Sequence, residues 1–419
     1  MNKLIIDGGV PLNGEISVQG AKNAVLPILA ASVIGDGESV IHNCPQLRDV
    51  DMTEIILKEL GCKVIRSHNT MAIDPSGMNN CGIDEQLMRE MRSSIIFLGA
   101  ILTVCGEAVV GLPGGCPIGL RPIDLHLKAL RQMGVNIAEE HGYLRCNCKR
   151  LRGTDIHLDF SSVGATENIM LAAVKADGTT TITNAAREPE IIDLAKFLNA
   201  MGGKVRGAGS DCVSIEGVKK LYPTEYTIMS DRIVAQTYLI AAMITGGEVF
   251  LKNVVASDMS SGIALLNEMG ADIRISSDGI RLKCNGTPKA VDIIKTMPYP
   301  GFPTDIQSPF MALASIADGT SVFVENIFEN RFRHVDELVR MGAHIKVEGR
   351  SAVIEGVRQL YGANVKAYEL RGGAALVLAA MSAYGTTILT GTEFIDRGYE
   401  DIEGNLSRCG AKIRRIHIS

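Results

Sequence analysis

One pattern returns six times along this chain of 419 residues, spaced by roughly seventy residues. An alanine-rich run ends near a glycine, and a β-branched run follows, as at Gly178 and Thr179–Thr183. An amphipathic stretch then closes on Leu60-Gly61, Met133-Gly134, Met201-Gly202, Met269-Gly270, Met341-Gly342 or Cys409-Gly410. A large fixed-period repeat constrains the fold more than any local propensity, because each copy must be one supersecondary unit stacked on its neighbours. Alanine-rich helices stop at glycine because a left-handed residue there closes the last turn. β-branched runs prefer strands. Apolar spacing such as Leu194, Phe197 and Leu198 gives a second helix. Each copy therefore reads close to β-α-β-α-β-β. In this reading the last step is a hairpin, with cousins at Ile5–Leu12, Ser214–Leu221 and Val353–Leu360. Six units exceed one core. Three and three is the natural split, with a seam near Leu221–Ser230. The N-terminal pair of strands, Lys3–Val18, reads as a hairpin that could join either half.

Composition narrows the class. The hydrophobic share of 46% and charged share of 21% fit a globular protein whose cores, lacking Trp, are built from aliphatic residues and Met. A net charge of −5 argues against a nucleic-acid surface. Ten cysteines without a C-x-x-C pair supply no zinc or redox framework, and free thiols suit a reducing cytoplasm. The apolar run 95–105 is too short for a membrane span, 374–392 is broken by polar residues, and the N-terminus has no leader pattern.

Two kinds of junction carry charge. Loops entering the second helix of each unit hold Arg48, Arg121, Arg187, Asp258, Arg331 and Arg397. Entries to the first helix hold Lys22-Asn23, Arg92-Ser93, Ser162–Gly164, Asp231-Arg232, Asp305 and Glu369–Arg371. Helix N-termini attract anions, and guanidinium groups placed there make a receptor for phosphate or carboxylate. One entry loop, Gly111–Pro122, exceeds its counterparts in length and adds Cys116 within a Gly- and Pro-rich run. Extra chain at one active junction points to chemistry at Cys116. Asp305, after two prolines in Tyr299–Asp305, reads either as an N-cap for the helix that follows or as a general base.

Gly20–Ala24, Pro113–Cys116, Arg121–His126, Ser162–Thr166, Arg187–Glu190, Phe302–Asp305, Glu329–Phe332 and Ile395–Glu400 together resemble the UDP-N-acetylglucosamine 1-carboxyvinyltransferases, the enolpyruvyl transferases of peptidoglycan synthesis. The resemblance spans the whole chain. It implies two lobes like those of EPSP synthase, each an inside-out α/β barrel of three β-α-β-α-β-β units. Residues 21–229 form one lobe, and residues 1–20 plus 230–419 the other. It implies transfer of the enolpyruvyl group of phosphoenolpyruvate to the 3′-hydroxyl of UDP-N-acetylglucosamine, with release of phosphate and no metal or other cofactor. By the same resemblance Cys116 donates a proton and is the target of phosphonate-epoxide inhibitors, and Asp305 takes the hydroxyl proton. Lys22, Arg121 and Arg397 hold the phosphate, while Arg331 and Arg371 hold the carboxylate. Asn23 and Arg92 support them. Arg121, Pro122, Ile123, Asp124, Leu125, Ser162, Val163 and Ile327 hold the uridine and sugar. Each guanidinium at about 4 Å is worth roughly 4 kcal/mol of Coulomb energy at an effective dielectric of about 20, so a small polyanion needs several. Phe160 and Glu369 depart from the lysine and aspartate of some family members, which bears on nucleotide affinity and on the placement of Arg371. The shikimate-3-phosphate enzyme is the nearest rival reading, and a catalytically silent UDP-sugar binder the next.

Overall fold

The computed structural model describes residues 2–113, 118–119 and 122–417. They form two compact units, one holding residues 20–113 and 122–229, the other 2–19, 118–119 and 230–417.

The third repeat shows the plan. Strand Asp155–His157, helix Val163–Ala173, strand Thr179–Thr183, helix Pro189–Ala200 and strands Lys204–Arg206 and Cys212–Glu216 follow in order. The two strands joined by the first helix pair in parallel, and the other two add antiparallel, Cys212–Glu216 lying between. Among the described residues the same four-strand order is found in six sheets, three in each unit. In the first-described unit, strand Glu225–Thr227 returns to pair with Ser39–His42 of the first repeat.

Three helices lie at the heart of each unit. Lys22–Ser32, Phe97–Cys105 and Val163–Ala173 serve one; Arg232–Thr245, Gln307–Ala314 and Leu370–Ser382 serve the other. Helices apolar on all sides have no face for water and must be enclosed. Small residues let them approach closely. A Cβ at Gly99 would lie 2.3 Å from the Asn168 carbonyl oxygen, and the Gly99 N–H instead donates to Asn168 Oδ1 at 2.6 Å. Each Leu, Ile or Val buried this way contributes roughly 1.5–3 kcal/mol.

The repeat glycines have two distinct causes. Gly61, Gly134, Gly202, Gly270, Gly342 and Gly410 all sit between φ +94° and +100°, the left-handed turn that ends each second helix. Gly8, Gly217 and Gly356 instead make close approaches: a Cβ would lie 2.1, 1.7 and 1.7 Å from the carbonyl oxygens of Ala383, Ala176 and Ala317.

That second cause corrects the hairpin expectation. Strands Asn2–Asp7 and Asn13–Ser17 do not pair with each other. The first lies between Thr386–Thr390 and Lys412–His417, and the second pairs with Glu248–Lys252. The segments at Gly217 and Gly356 likewise carry the chain from one sheet to the next, from Cys212–Glu216 to Glu225–Thr227 and from Ser351–Glu355 to Asn364–Lys366. Between Asp7 and Asn13 the turn is committed elsewhere: Gly8 N–H donates to Gly385 and Gly9 N–H to Met381. The true hairpins are the tight pairs such as Lys63–Ser67 with Thr70–Asp74.

The expectation that every cysteine is a free thiol also needs correction. Cys81 and Cys105 are joined as a disulfide. Cys81 leads into strand Gly82–Ile83, which pairs with Glu107–Gly111 directly after Cys105, so the ladder itself brings their Cα atoms to 6.3 Å. Cys62 and Cys409 are core residues, and burial pushes the Cys62 thiol up to about 11. No helix among the described residues is long and apolar enough to cross a membrane.

Candidate active site

In the unit containing residues 230–419, three sequence-predicted residues come together at the starts of inner helices. Asp305 lies in the single turn Thr304–Ile306 that leads into Gln307–Ala314. Its side chain caps neither segment, which removes the N-cap reading. Instead Arg331 Nη2 donates to Asp305 Oδ1 and Arg371 Nη2 to Asp305 Oδ2, both at 3.1 Å. The two arginines are 2% and 3% exposed, so these are buried charges held by a partly exposed carboxylate.

Each arginine has further support. Arg331 Nη2 also donates to the Thr304 carbonyl at 3.0 Å, and Glu369 lies 3.7 Å from Arg331 Nη1. Glu369 caps helix Leu370–Ser382 by accepting the N–H groups of Arg371 and Gly372. Glutamate at this position therefore fixes the Arg371 backbone while its charge faces Arg331. Burial opposes the charge of Arg371, but Asp305, with Tyr399 and Asp231, holds its pKa above the ordinary arginine value. Two donors are left over: Arg331 Nε and Arg371 Nη1 are buried with no hydrogen-bond partner among the described residues. Unpaired buried donors are costly, which marks them as places for an acceptor.

Glu325 ties the two halves of this cluster together. Only 1% exposed, it accepts from Thr296 Oγ1 and from the N–H groups of Ile327 and Phe328 at 2.8–3.0 Å, and from Thr304 Oγ1 at 2.9 Å. It thus fixes the segment bearing Ile327 and Arg331 against the one bearing Asp305. His334 lies beside Arg331, fully enclosed. Burial first, and the Arg331 charge second, push its pKa down to about 3. Arg397, half-buried, follows helix Thr392–Ile395.

In the other unit, Lys22 opens its inner helix and forms an ion pair with the buried Asp49 at 2.9 Å. Asn23 and Arg92 are half-buried, Arg92 beginning the turn Arg92–Ile96 before Phe97–Cys105. Ser162 caps helix Val163–Ala173, its hydroxyl accepting from Ala165 at 3.3 Å, with Val163 as the first helical residue. Pro122 is exposed and Ile123 half-buried, and Asp124 and Leu125 start helix Asp124–Gln132. Phe160 is 47% exposed. Cys116 and Arg121 lie outside the described residues.

The matched junction arginines do not share one role. Arg48 and Arg187 are half-exposed and face Glu90 at 3.9 Å and Asp211 at 3.4 Å, whereas Arg331 is enclosed. Asp49, Glu325 and His334 escaped the sequence reading. Asp49 follows a singled-out arginine, and Glu325 ends a repeat strand, but neither position announces burial. Among the described residues no group of three or more His, Cys, Asp or Glu is arranged to hold a metal ion.

Six like sheets around buried helices, with cationic and acidic side chains at the helix starts, define a class that comparison identifies. The family described as EPSP synthase (3-phosphoshikimate 1-carboxyvinyltransferase) matches residues 6–406. The crystal structure of the enolpyruvyl transferase NikO from Streptomyces tendae superposes with a TM-score of 0.88 at 22% identity, covering 99% of this chain and 98% of that one, a likeness of fold. UDP-N-acetylglucosamine 1-carboxyvinyltransferase 2 of Caldanaerobacter subterraneus subsp. tengcongensis is 54% identical over 99% of this chain and 100% of its own length. UDP-N-acetylglucosamine 1-carboxyvinyltransferase 1 of Symbiobacterium thermophilum is 51% identical over 99% of this chain and 95% of its own. The chain belongs to the UDP-N-acetylglucosamine 1-carboxyvinyltransferase family.

Proposed function

We propose that this chain transfers the enolpyruvyl group of phosphoenolpyruvate to the 3′-hydroxyl of UDP-N-acetylglucosamine, releasing phosphate, as the entry to peptidoglycan synthesis. The observation that carries the reading is the 54% identity, end to end, with a relative bearing that activity in its name. The local chemistry supports it. In the addition step the hydroxyl oxygen bonds to C2 of phosphoenolpyruvate, its proton passes to Asp305, and C3 receives a proton from Cys116. In the elimination step C3 loses a proton, the C2–C3 double bond reforms and phosphate departs. Arg331 and Arg371 hold the substrate carboxylate. They are already occupied by Asp305 through Nη2, and Arg331 Nε and Arg371 Nη1 are the buried donors left for a ligand.

Lys22, Arg121 and Arg397 take the phosphate, whose charge grows as the C–O bond breaks, so cations fixed beforehand favour the transition state. Asn23 and Arg92 steady them. Residues 121–125, Ser162, Val163 and Ile327 form the uridine and sugar contacts; Ile327 is well placed for such a task because Glu325 holds its N–H at 2.8 Å. The loop carrying Cys116 excludes water from the cationic intermediate. Cys116 is the site at which a phosphonate epoxide alkylates the enzyme. The protein acts in the cytoplasm, without nucleic acid.

The test is phosphate release from phosphoenolpyruvate with either acceptor. Release with UDP-N-acetylglucosamine and none with shikimate 3-phosphate is expected. The reverse preference would move the chain to the other branch of its class, and silence with both would make it a non-catalytic relative. Loss of release in Cys116→Ala and Asp305→Ala checks the two proton-transfer roles.

A further inference from the structure

His126 closes the Arg121–His126 run but takes no part in the steps above. It stands in the first turn of helix Asp124–Gln132 and is 6% exposed. Asn168 lies fully enclosed on helix Val163–Ala173, with its Nδ2 at 3.0 Å from His126 Nδ1. The other bonds of Asn168 decide which atom donates. The Gly99 N–H meets Asn168 Oδ1 at 2.6 Å, and a backbone N–H can only donate. On its other side Asn168 Nδ2 donates to the Ile95 carbonyl at 2.9 Å. Turning that amide round would set N–H against N–H and oxygen against oxygen. The Ile95 carbonyl and Gly99 N–H are groups that a regular helix would pair with each other. Asn168 takes both, and so joins the turn Arg92–Ile96 to helix Phe97–Cys105. The second Nδ2 proton is left for His126, whose Nδ1 must accept it. The imidazole is therefore neutral and carries its proton on Nε2. Its Cε1–Nε2 edge lies on Gly164, in the first turn of helix Val163–Ala173: a Cβ there would be 3.2 and 3.4 Å from those two atoms.

We propose that His126, held by Asn168 with its proton on Nε2, is a positioning residue for UDP-N-acetylglucosamine: it seats helix Asp124–Gln132 on the first turn of helix Val163–Ala173, so that Pro122–Leu125 and Ser162–Val163 meet the nucleotide sugar together. The proposal rests on the reading of those two segments as uridine and sugar contacts. The Ser162 hydroxyl accepts from Ala165 of its own helix and does not tie that helix to the other. The Asn168 amide does so, since it bonds at once to the turn after Arg92, to helix Phe97–Cys105 and to His126. Segments fixed against each other beforehand need no ordering when the ligand arrives, which is where preorganisation gains affinity. An apolar side chain at 126 would fill the same space but leave one Asn168 N–H buried without an acceptor. The acceptor nitrogen is thus the informative atom.

The experiment has two arms, both on the full chain. The first is nitrogen NMR with isotope-labelled histidine at neutral pH; of the eight histidines, His126 is assigned by the ring signals missing from His126→Asn or His126→Leu. A bare Nδ1 and a protonated Nε2 are expected. Asn168→Asp replaces the donor by an acceptor and should place a proton on Nδ1. The second arm is calorimetric binding of UDP-N-acetylglucosamine together with steady-state phosphate release. His126→Leu should weaken that binding and raise the matching KM about tenfold, the scale of one hydrogen bond lost with its donor left buried, while KM for phosphoenolpyruvate stays unchanged. His126→Asn, whose Oδ1 can accept from Asn168, should bind the nucleotide sugar more tightly than His126→Leu. A proton on Nδ1 in the wild type, unmoved UDP-N-acetylglucosamine affinity in His126→Leu, or parallel rises in both KM values would overturn the proposal while leaving the assigned reaction in place. A wild type that neither binds UDP-N-acetylglucosamine nor releases phosphate would overturn both.

Discussion

His334 offers a stability test that does not depend on the catalytic reading. Its ring is 3% exposed, and neither nitrogen has a hydrogen-bond partner among the described residues. Burial first and the adjacent Arg331 charge second favour the neutral form and bring its pKa from 6.5 to about 3, with the Arg331 backbone opposing them. The unfolded chain therefore binds a proton that the folded chain refuses whenever the pH lies between those values. Unfolding is favoured as pH falls through that window, and the contribution of neutral His334 is fully present only above the unfolded value. At about 1.4 kcal/mol per pH unit the whole window is worth at most about 5 kcal/mol, and lowering the pH from 7.5 to 5 costs about 2 kcal/mol. His334→Leu removes the titration. Because both ring nitrogens are already orphaned, the apolar replacement should be neutral or stabilising at pH 7.5. The two units need not unfold together, so a global midpoint is the wrong measure. Hydrogen-exchange mass spectrometry on peptides covering Leu370–Ser382 reports the local free energy instead. Wild type should lose about 2 kcal/mol more than His334→Leu between pH 7.5 and pH 5, other titrating groups cancelling in the difference. Parallel pH curves for the two proteins would refute the assignment of a neutral, unpartnered imidazole.

Four further substitutions test the cluster and the fold that carries it. Asp305→Asn keeps the shape but not the charge between Arg331 and Arg371; phosphate release should fall by about 10²–10⁴-fold while calorimetric binding of UDP-N-acetylglucosamine persists. Unimpaired release would remove Asp305 from the proton transfer. Glu325→Gln should lower the stability of its unit by about 2–4 kcal/mol, read from denaturant titration, because it weakens two N–H and two hydroxyl bonds to a buried carboxylate. Gly356→Ala should cost more than Gly270→Ala, since a Cβ at 356 would lie 1.7 Å from the Ala317 carbonyl while one at 270 meets nothing within 4 Å and bears only its positive φ. Equal losses of local hydrogen-exchange protection in the two variants would contradict the close-approach account.

The fold was legible where the repeat fixed a backbone conformation. Helix ends at Gly61 through Gly410 and strands such as Thr179–Thr183 follow from residue chemistry applied six times over. What misled was glycine's second use. In Ile-Asp-Gly8 and Ile-Glu-Gly217 the residue reads as a turn signal, yet it is there because the carbonyl of Ala383 or Ala176, in the turn after an inner helix, occupies the place of its side chain. Sequence distinguishes positive φ from missing volume poorly, since the same residue answers both needs. The same limit hid the strand exchange at the N-terminus: Asn2–Asp7 supplies the last sheet with the strand that other repeats take from their own hairpin.

The cluster was legible by charge and not by burial. Arg48, Arg187 and Arg331 occupy matched junctions, and periodicity treats them alike. Their difference lies in what faces them. Arg48 and Arg187 meet single carboxylates across solvent, an arrangement worth little. Arg331 meets Asp305 and Glu369 in an enclosed space, where removing one partner would leave a charge that water cannot reach. A repeat thus distributes one residue type to equivalent places, and the local set of acids distinguishes the enclosed copy from the exposed ones. Asp305 stands in the turn before one inner helix and Glu369 caps another, so the acids that meet Arg331 belong to elements distant from it in sequence. Their pairing is a property of the three-helix core, which is why no motif confined to a few residues could have disclosed it.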